Sequence, residues 1–292
     1  MSSYSIILNS PALLSLFAGI LGSMIGSFLN VVIYRLPIMM KRDWKRECEE
    51  FLELPITDHQ AAEPFNLALP GSHCPECNTV IKWYQNIPVF SYLFLQGKCA
   101  NCQTRISLRY PLIEALTGIL SAVVAYQLGG QIETLFALLL TWVLIALSGI
   151  DFDHQLLPDN ITLPILWLGL FLSLFNVFTD TTSSIIGAIA GYLSLWTVYQ
   201  AFKLLTGKEG MGFGDFKLLA LFGAWLGWQY LPLIIMLSSL VGAIIGSSMI
   251  IFVKRDKNIP IPFGPYLAIA GWIALLWGDE INSLYLTSFG LQ

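Results

Sequence analysis

Three groups of residues in this chain have the types and spacing to do chemistry. Two are carboxylates beside apolar runs. Asp151 lies in Ser148-Gly149-Ile150-Asp151-Phe152-Asp153-His154, and Asp215 lies in Gly210-Met211-Gly212-Phe213-Gly214-Asp215-Phe216-Lys217. A pair of aspartates is a minimal device for hydrolysis without a covalent intermediate. One takes a proton from water as it attacks a carbonyl, and the other donates toward the developing oxyanion. The third group is a pair of knuckles, Cys74-Pro75-Glu76-Cys77 and Cys99-Ala100-Asn101-Cys102. Four thiolates at that spacing suit a closed tetrahedral zinc site, structural rather than catalytic because no position is left open for water.

Each group has a plainer reading. Asp159 follows Pro158 ahead of an apolar run and reads as a helix N-cap, and Asp215 at a helix start admits the same reading. Asp153 reads as solvated and His154 as a polar residue at the membrane interface. Asp151 has no such structural duty, so an aspartyl dyad of Asp151 and Asp215 leads. For the cysteines the alternative is disulfides, and a reducing compartment disfavours them. Cys48, outside both knuckles, reads as a spare buried thiol. Glu114 falls inside an apolar run and needs a partner there, for which Arg109 is a candidate.

These residues must be positioned by membrane helices. Of 292 residues 55% are apolar and only 12% charged, and mean hydropathy is +0.68. A soluble domain carries about 25% charge. This excludes a disordered chain, a basic nucleic-acid-binding domain and a disulfide-dense module, and leaves an all-α polytopic membrane protein. Residues 37–108 hold 15 of the 34 charged residues and all five cysteines, so a small polar domain is inserted after the first apolar run. The expected division is a first transmembrane anchor over 1–36, a zinc domain over 37–109 and a transmembrane core over 110–292. The first basic residue is Arg35, so the opening run lacks the charged start of a cleavable signal and reads as a retained anchor.

Further apolar runs lie near 110–128, 132–150, 161–178, 184–205, 216–228, 231–253 and 263–278. Together with the first they give about eight crossings, the run at 216–228 being short for a span. Alternating from an external N-terminus, the segments 35–109, 151–160, 203–217 and 254–261 face the cytoplasm. They contain all 15 Lys and Arg residues, as the positive-inside rule requires. Asp151 and Asp215 then share the cytoplasmic side. Glycine pairs at 22 and 26, 187 and 191, 223 and 227, and 242 and 246 read as close helix–helix packing.

Taken in order, these elements resemble a known family. The Gly212-Phe213-Gly214-Asp215 element is similar to the GxGD signature of intramembrane-type aspartyl proteases. Joined to Gly26 through Pro37, the two cysteine knuckles, Ile150-Asp151, Leu157-Pro158-Asp159 and Pro262-Phe263-Gly264-Pro265, the whole resembles the type IV prepilin peptidases of bacteria. The resemblance implies a bifunctional enzyme of the bacterial cytoplasmic (inner) membrane. It would cut the leader from type IV prepilins and type II secretion pseudopilins, with Asp151 and Asp215 catalytic. It would then methylate the new N-terminal residue from S-adenosylmethionine.

A methyl-donor site is not legible, since no G-x-G-x-x-G stands between a strand and a helix. Asn30, Arg35, Arg109-Tyr110-Pro111 and Glu114 are polar features that could form one. The expected partners are prepilins, pseudopilins and membrane lipid, with no nucleic acid. The competing readings are a GxGD protease of other substrates, and a transporter or channel whose aspartates carry ions and whose zinc module is a docking platform. A transporter aspartate should lie in mid-span.

Overall fold

The computed structural model describes residues 10–54, 65–252 and 262–288. The chain divides into two compact units, residues 1–130 and 131–292.

The first unit is built on two helices, α1 (Pro11–Phe51) and α3 (Arg109–Leu128), which pack along one another. The cysteine module lies between them in sequence and contains one short helix, α2 (Phe90–Phe94). Pro11 opens α1 at the first helical position, where its missing N–H costs nothing. The α1–α3 contact depends on small residues. A Cβ on Gly22 would meet Ser121 Oγ at 2.3 Å, and one on Gly26 would meet the Glu114 Cα at 2.8 Å. Helix α1 does not end at Leu36, where the apolar run stops, but continues through Pro37 to Phe51. The extension is rich in good helix formers and carries spaced ion pairs, Asp43–Arg46 at 3.4 Å and Lys45–Glu49 at 3.6 Å. Cys48 sits on this extension and is exposed, which corrects its reading as a buried thiol.

The second unit contains α4 (Ile132–His154), α5 (Asp159–Ser173), α6 (Thr181–Thr206), α7 (Phe213–Leu226), α8 (Leu231–Phe252) and α9 (Gly264–Ser288). Its core is α7. Every residue from Phe216 to Leu226 except Lys217 is buried. This explains how a 14-residue helix, about 21 Å long at 1.5 Å per residue, serves as a membrane element. Its neighbours α5, α6 and α9 pack around it, so protein rather than lipid meets the body of the helix.

The α6–α7 crossing is a backbone contact. A Cβ on Gly187 would lie 2.3 Å from the Gly223 carbonyl oxygen, and one on Gly191 would lie 2.7 Å from that of Leu219. Ser184 Oγ donates to the Ala224 carbonyl across the same seam. On another side Trp225 covers Gly169 and donates from Nε1 to the Ile165 carbonyl at 2.8 Å. Gly227 packs closely, as its pairing with Gly223 suggests, its carbonyl carbon lying 2.9 Å from a Cβ on Gly187, and it has a second duty. It caps α7 with φ +88°, a conformation that favours glycine.

Among the described residues five helices are long and apolar enough to cross a membrane. They are α1, α3, α4, α6 and the stretch Trp228–Ile245, which overlaps most of α8. Helix α5 is apolar but shorter, α7 is enclosed as above, and α9 is interrupted at Trp277.

Candidate active site and metal centre

Asp151 lies three residues before the C-terminal end of α4, and its side chain is buried. The helix closes on Gln155 in the left-handed conformation, φ 53°, and the chain then runs through Leu157 and Pro158 into α5. Asp215 is the third residue of α7 and is also buried. The short loop before α7 and the loop after α4 therefore bring two carboxylates, 64 residues apart in sequence, to one place. They are close enough that the charge of Asp151 acts directly on Asp215.

Gly264, which opens α9, donates its backbone N–H to Asp151 Oδ2 at 3.0 Å, and the backbone N–H of Asp215 donates to the Gly212 carbonyl at 3.2 Å, which fixes the start of α7. Leu157 packs between. Its side chain stands where a Cβ on Gly214 would be, at 2.7 Å, and 3.2 Å from a Cβ on Gly264. A Cβ on Gly264 would also meet Asp151 Oδ2 at 2.7 Å. The glycines of the Asp215 loop thus serve close packing against Leu157 and Phe202, not a left-handed bend; none of Gly210, Gly212 or Gly214 has a positive φ.

The neighbouring acids have other duties. Asp159 is not the N-cap of α5. Pro158 holds that position, and Asp159, in the first turn, binds Lys217 Nζ at 2.7 Å. Lys217 is two residues beyond Asp215, so its ammonium is engaged by Asp159 at the mouth of the site. Asp215 is not the N-cap either; Gly212 is. Both dyad residues stand at helix ends rather than in mid-span, which removes the main support for an ion-conducting reading. Sequence reasoning gives no role to Leu157 or Gly264. A glycine framed by Pro262 and Pro265 at the start of an apolar run is the one local signal for the latter.

In the first unit the four knuckle cysteines converge. Their sulfur atoms all lie within 4.8 Å of one another, with Cys74–Cys102 at 3.7 Å and Cys77–Cys99 at 3.9 Å. A tetrahedron with metal–sulfur bonds of about 2.3 Å has edges of about 3.8 Å, so the cluster fits one ion.

The two knuckles are built alike. Cys74 N–H donates to the Thr79 carbonyl at 3.0 Å and Cys99 N–H to that of Thr104 at 2.8 Å. Asn78 and Gln103 turn the chain at φ 52° and 61°. Thr79 and Thr104 each place a hydroxyl 3.3 Å from Cys77 and Cys102 sulfur respectively. The Thr79 hydroxyl holds the Cys77 thiol down to about 5, and the Cys102 backbone N–H keeps Cys99 below its ordinary range. His73 turns back to the Gly71 carbonyl at 3.0 Å and is not among the four.

The polar features nearest the knuckles tie the module to its helices. Glu114 accepts from the Val89 backbone N–H at 2.8 Å. Asn30 Nδ2 donates to the Tyr110 carbonyl at 3.2 Å. Arg35 donates to the carbonyls of Asn66 and Pro70 at 2.9 and 2.6 Å. These residues have structural partners, and none of those contacts singles out a methyl-donor pocket.

The chain matches two family models, the bacterial peptidase A24 N-terminal domain over residues 20–128 and the type IV leader peptidase family over residues 138–247. It is 55% identical over 286 residues to the prepilin leader peptidase/N-methyltransferase of Stutzerimonas stutzeri, covering 98% of both chains. It is 58% identical over 266 residues to that of Aeromonas hydrophila, covering 91% of both. Against that of Pseudomonas aeruginosa it is 55% identical over 273 residues, covering 94% of this chain and 93% of the other. No solved structure matches. Helical architecture, paired aspartates at helix ends, four clustered cysteines and full-length likeness agree: the chain belongs to the type IV leader peptidase family.

Proposed function

We propose that this protein cleaves the leader peptide of type IV prepilins with Asp151 and Asp215, and then N-methylates the new N-terminal residue from S-adenosylmethionine. The observation that carries the peptidase half is the meeting of two buried carboxylates at helix ends: Asp151 is held by the Gly264 backbone N–H, and Gly264 and Gly214, the neighbour of Asp215, both pack on Leu157. Two carboxylates this close hold one proton between them. The ionised one draws a proton from water as it attacks the scissile carbonyl. The protonated one donates to the oxygen on which charge develops. Gly264 fixes Asp151 through Oδ2, leaving its other oxygen for the water.

The four cysteines hold a zinc ion in this reading. When bound, it supplies a crosslink between two knuckles in a module with little apolar core, since metal affinity in such modules is folding free energy. A four-thiolate shell leaves it no part in hydrolysis. Residues 1–36 then act as an anchor, 37–109 as the metal-bearing domain and 110–292 as the peptidase core. The distribution of basic residues supports a cysteine module and both aspartates on the cytoplasmic side of the inner membrane. Pseudopilins of type II secretion, which share the leader chemistry, are further substrates.

The test is incubation of purified protein in detergent with a prepilin and S-adenosylmethionine carrying a labelled methyl group. The expected product is a shortened pilin bearing one methyl on its new N-terminus. An intact leader would overturn the peptidase assignment, and a shortened but unlabelled product would overturn the transferase assignment alone.

A further inference from the structure

The cysteine module carries an apolar face that its own unit does not use. Phe90, Leu93 and Phe94 stand at positions i, i+3 and i+4 of α2 and share one side of it. They are 64%, 66% and 86% exposed, and Trp83 on the preceding turn is 82% exposed. The opposite side of α2 is fixed to the second knuckle. The Tyr92 ring covers Gly97, and its hydroxyl donates to the Ile106 carbonyl at 3.3 Å. The exposed side is therefore held in one direction.

The depth of this face follows from a hydrogen bond. Val89, immediately before α2, is bound to the Glu114 carboxylate. Glu114 lies five residues into the span α3, about 7.5 Å along its axis. Beyond the exposed Arg109 that opens it, the outer surface of α3 is apolar, with Leu112, Leu116 and Ile119 exposed. A segment tied at that level of a membrane helix stands at the bilayer interface, not free in water. Tryptophan and tyrosine favour that zone because their rings are amphipathic. Between residues 65 and 109 the chain has four basic residues, Lys82, Lys98, Arg105 and Arg109, against one acid, Glu76. A zinc ion on four thiolates adds about −2, so the stretch stays slightly positive and its four basic side chains can meet anionic headgroups.

We infer that Trp83, Phe90, Leu93 and Phe94 seat the cysteine module in the headgroup region of an anionic bilayer. The seat is independent of the dyad chemistry. The test places a photoreactive benzoylphenylalanine at one position of the full chain, in vesicles of phosphatidylethanolamine and phosphatidylglycerol, with retained leader cleavage reporting a folded protein. Phe90→benzoylphenylalanine and Phe94→benzoylphenylalanine are expected to give phospholipid adducts by mass spectrometry. Leu116→benzoylphenylalanine, on the span, gives the same adduct as a positive control. Glu76→benzoylphenylalanine, on a knuckle, is expected to give several-fold less. Adducts at positions 90 and 94 to protein instead of lipid, or lipid adducts no more frequent than at 76, would overturn the inference.

Discussion

The metal centre and the aspartate dyad solve the same problem in opposite ways. Both must hold several titratable groups within a few ångströms. The four cysteines come from two local knuckles of nearly identical build, each closed by its own backbone hydrogen bonds. The dyad comes from distant chain segments, and its geometry is inherited from how α7 packs among α5, α6 and α9. A local site fails locally. A site built on helix packing fails when any helix of the bundle shifts, and glycine contacts with no spare room make such shifts costly.

This contrast can be broken or sharpened by substitution. The largest effect short of the dyad itself should come from Gly264→Val. Its side chain would intrude on Asp151 Oδ2 and Leu157, and misplacing a reacting group by about 1 Å typically costs about a hundredfold in rate. Cleavage of a prepilin by membranes should fall by that order, while metal content stays at one ion per chain. Next is Cys77→Ser. It should abolish bound zinc by elemental analysis and speed limited proteolysis within residues 65–108, with Asp151 and Asp215 still in place.

Smaller again is Lys217→Met. The Lys217–Asp159 pair is partly exposed, and such pairs contribute about 0 to 1 kcal/mol. Its loss should slow cleavage by no more than about fivefold, and the exchange Asp159→Lys with Lys217→Asp should recover part of it. Cys48→Ser, on the exposed extension of α1, should change neither metal content nor cleavage.

The same contrast explains what could be read from the chain. The metal centre is legible because its spacing is local and cysteine is rare. The two aspartates are legible because carboxylates beside apolar runs are conspicuous. Their supports are not. Leu157 and Gly264 are ordinary residues whose roles depend on α4, α7 and α9 meeting. The capping readings of Asp159 and Asp215 fail because the preceding Pro158 and Gly212 adopt extended backbone and take the cap positions themselves. The run at 216–228 reads as short for a span when lipid is assumed around it, whereas protein packs around α7. Helix α1 outlasts its apolar run because hydropathy marks where a membrane ends, not where a helix does.

The central claim is that Asp151 and Asp215 together perform the cleavage. Asparagine keeps the shape and a hydrogen-bond donor but cannot accept a proton from water. Losing general acid–base catalysis costs about 10² to 10⁴ in rate, and losing one member of a unit can cost more. The direct measurement is cleavage of one prepilin by Asp151→Asn, Asp215→Asn, Asp153→Asn and Asp159→Asn in membranes at matched abundance, with methylation of a pre-cut pilin scored beside it. The account predicts no detectable cleavage by Asp151→Asn or Asp215→Asn, near-normal cleavage by the other two, and methylation retained by all four. Full cleavage by either Asp151→Asn or Asp215→Asn would contradict it.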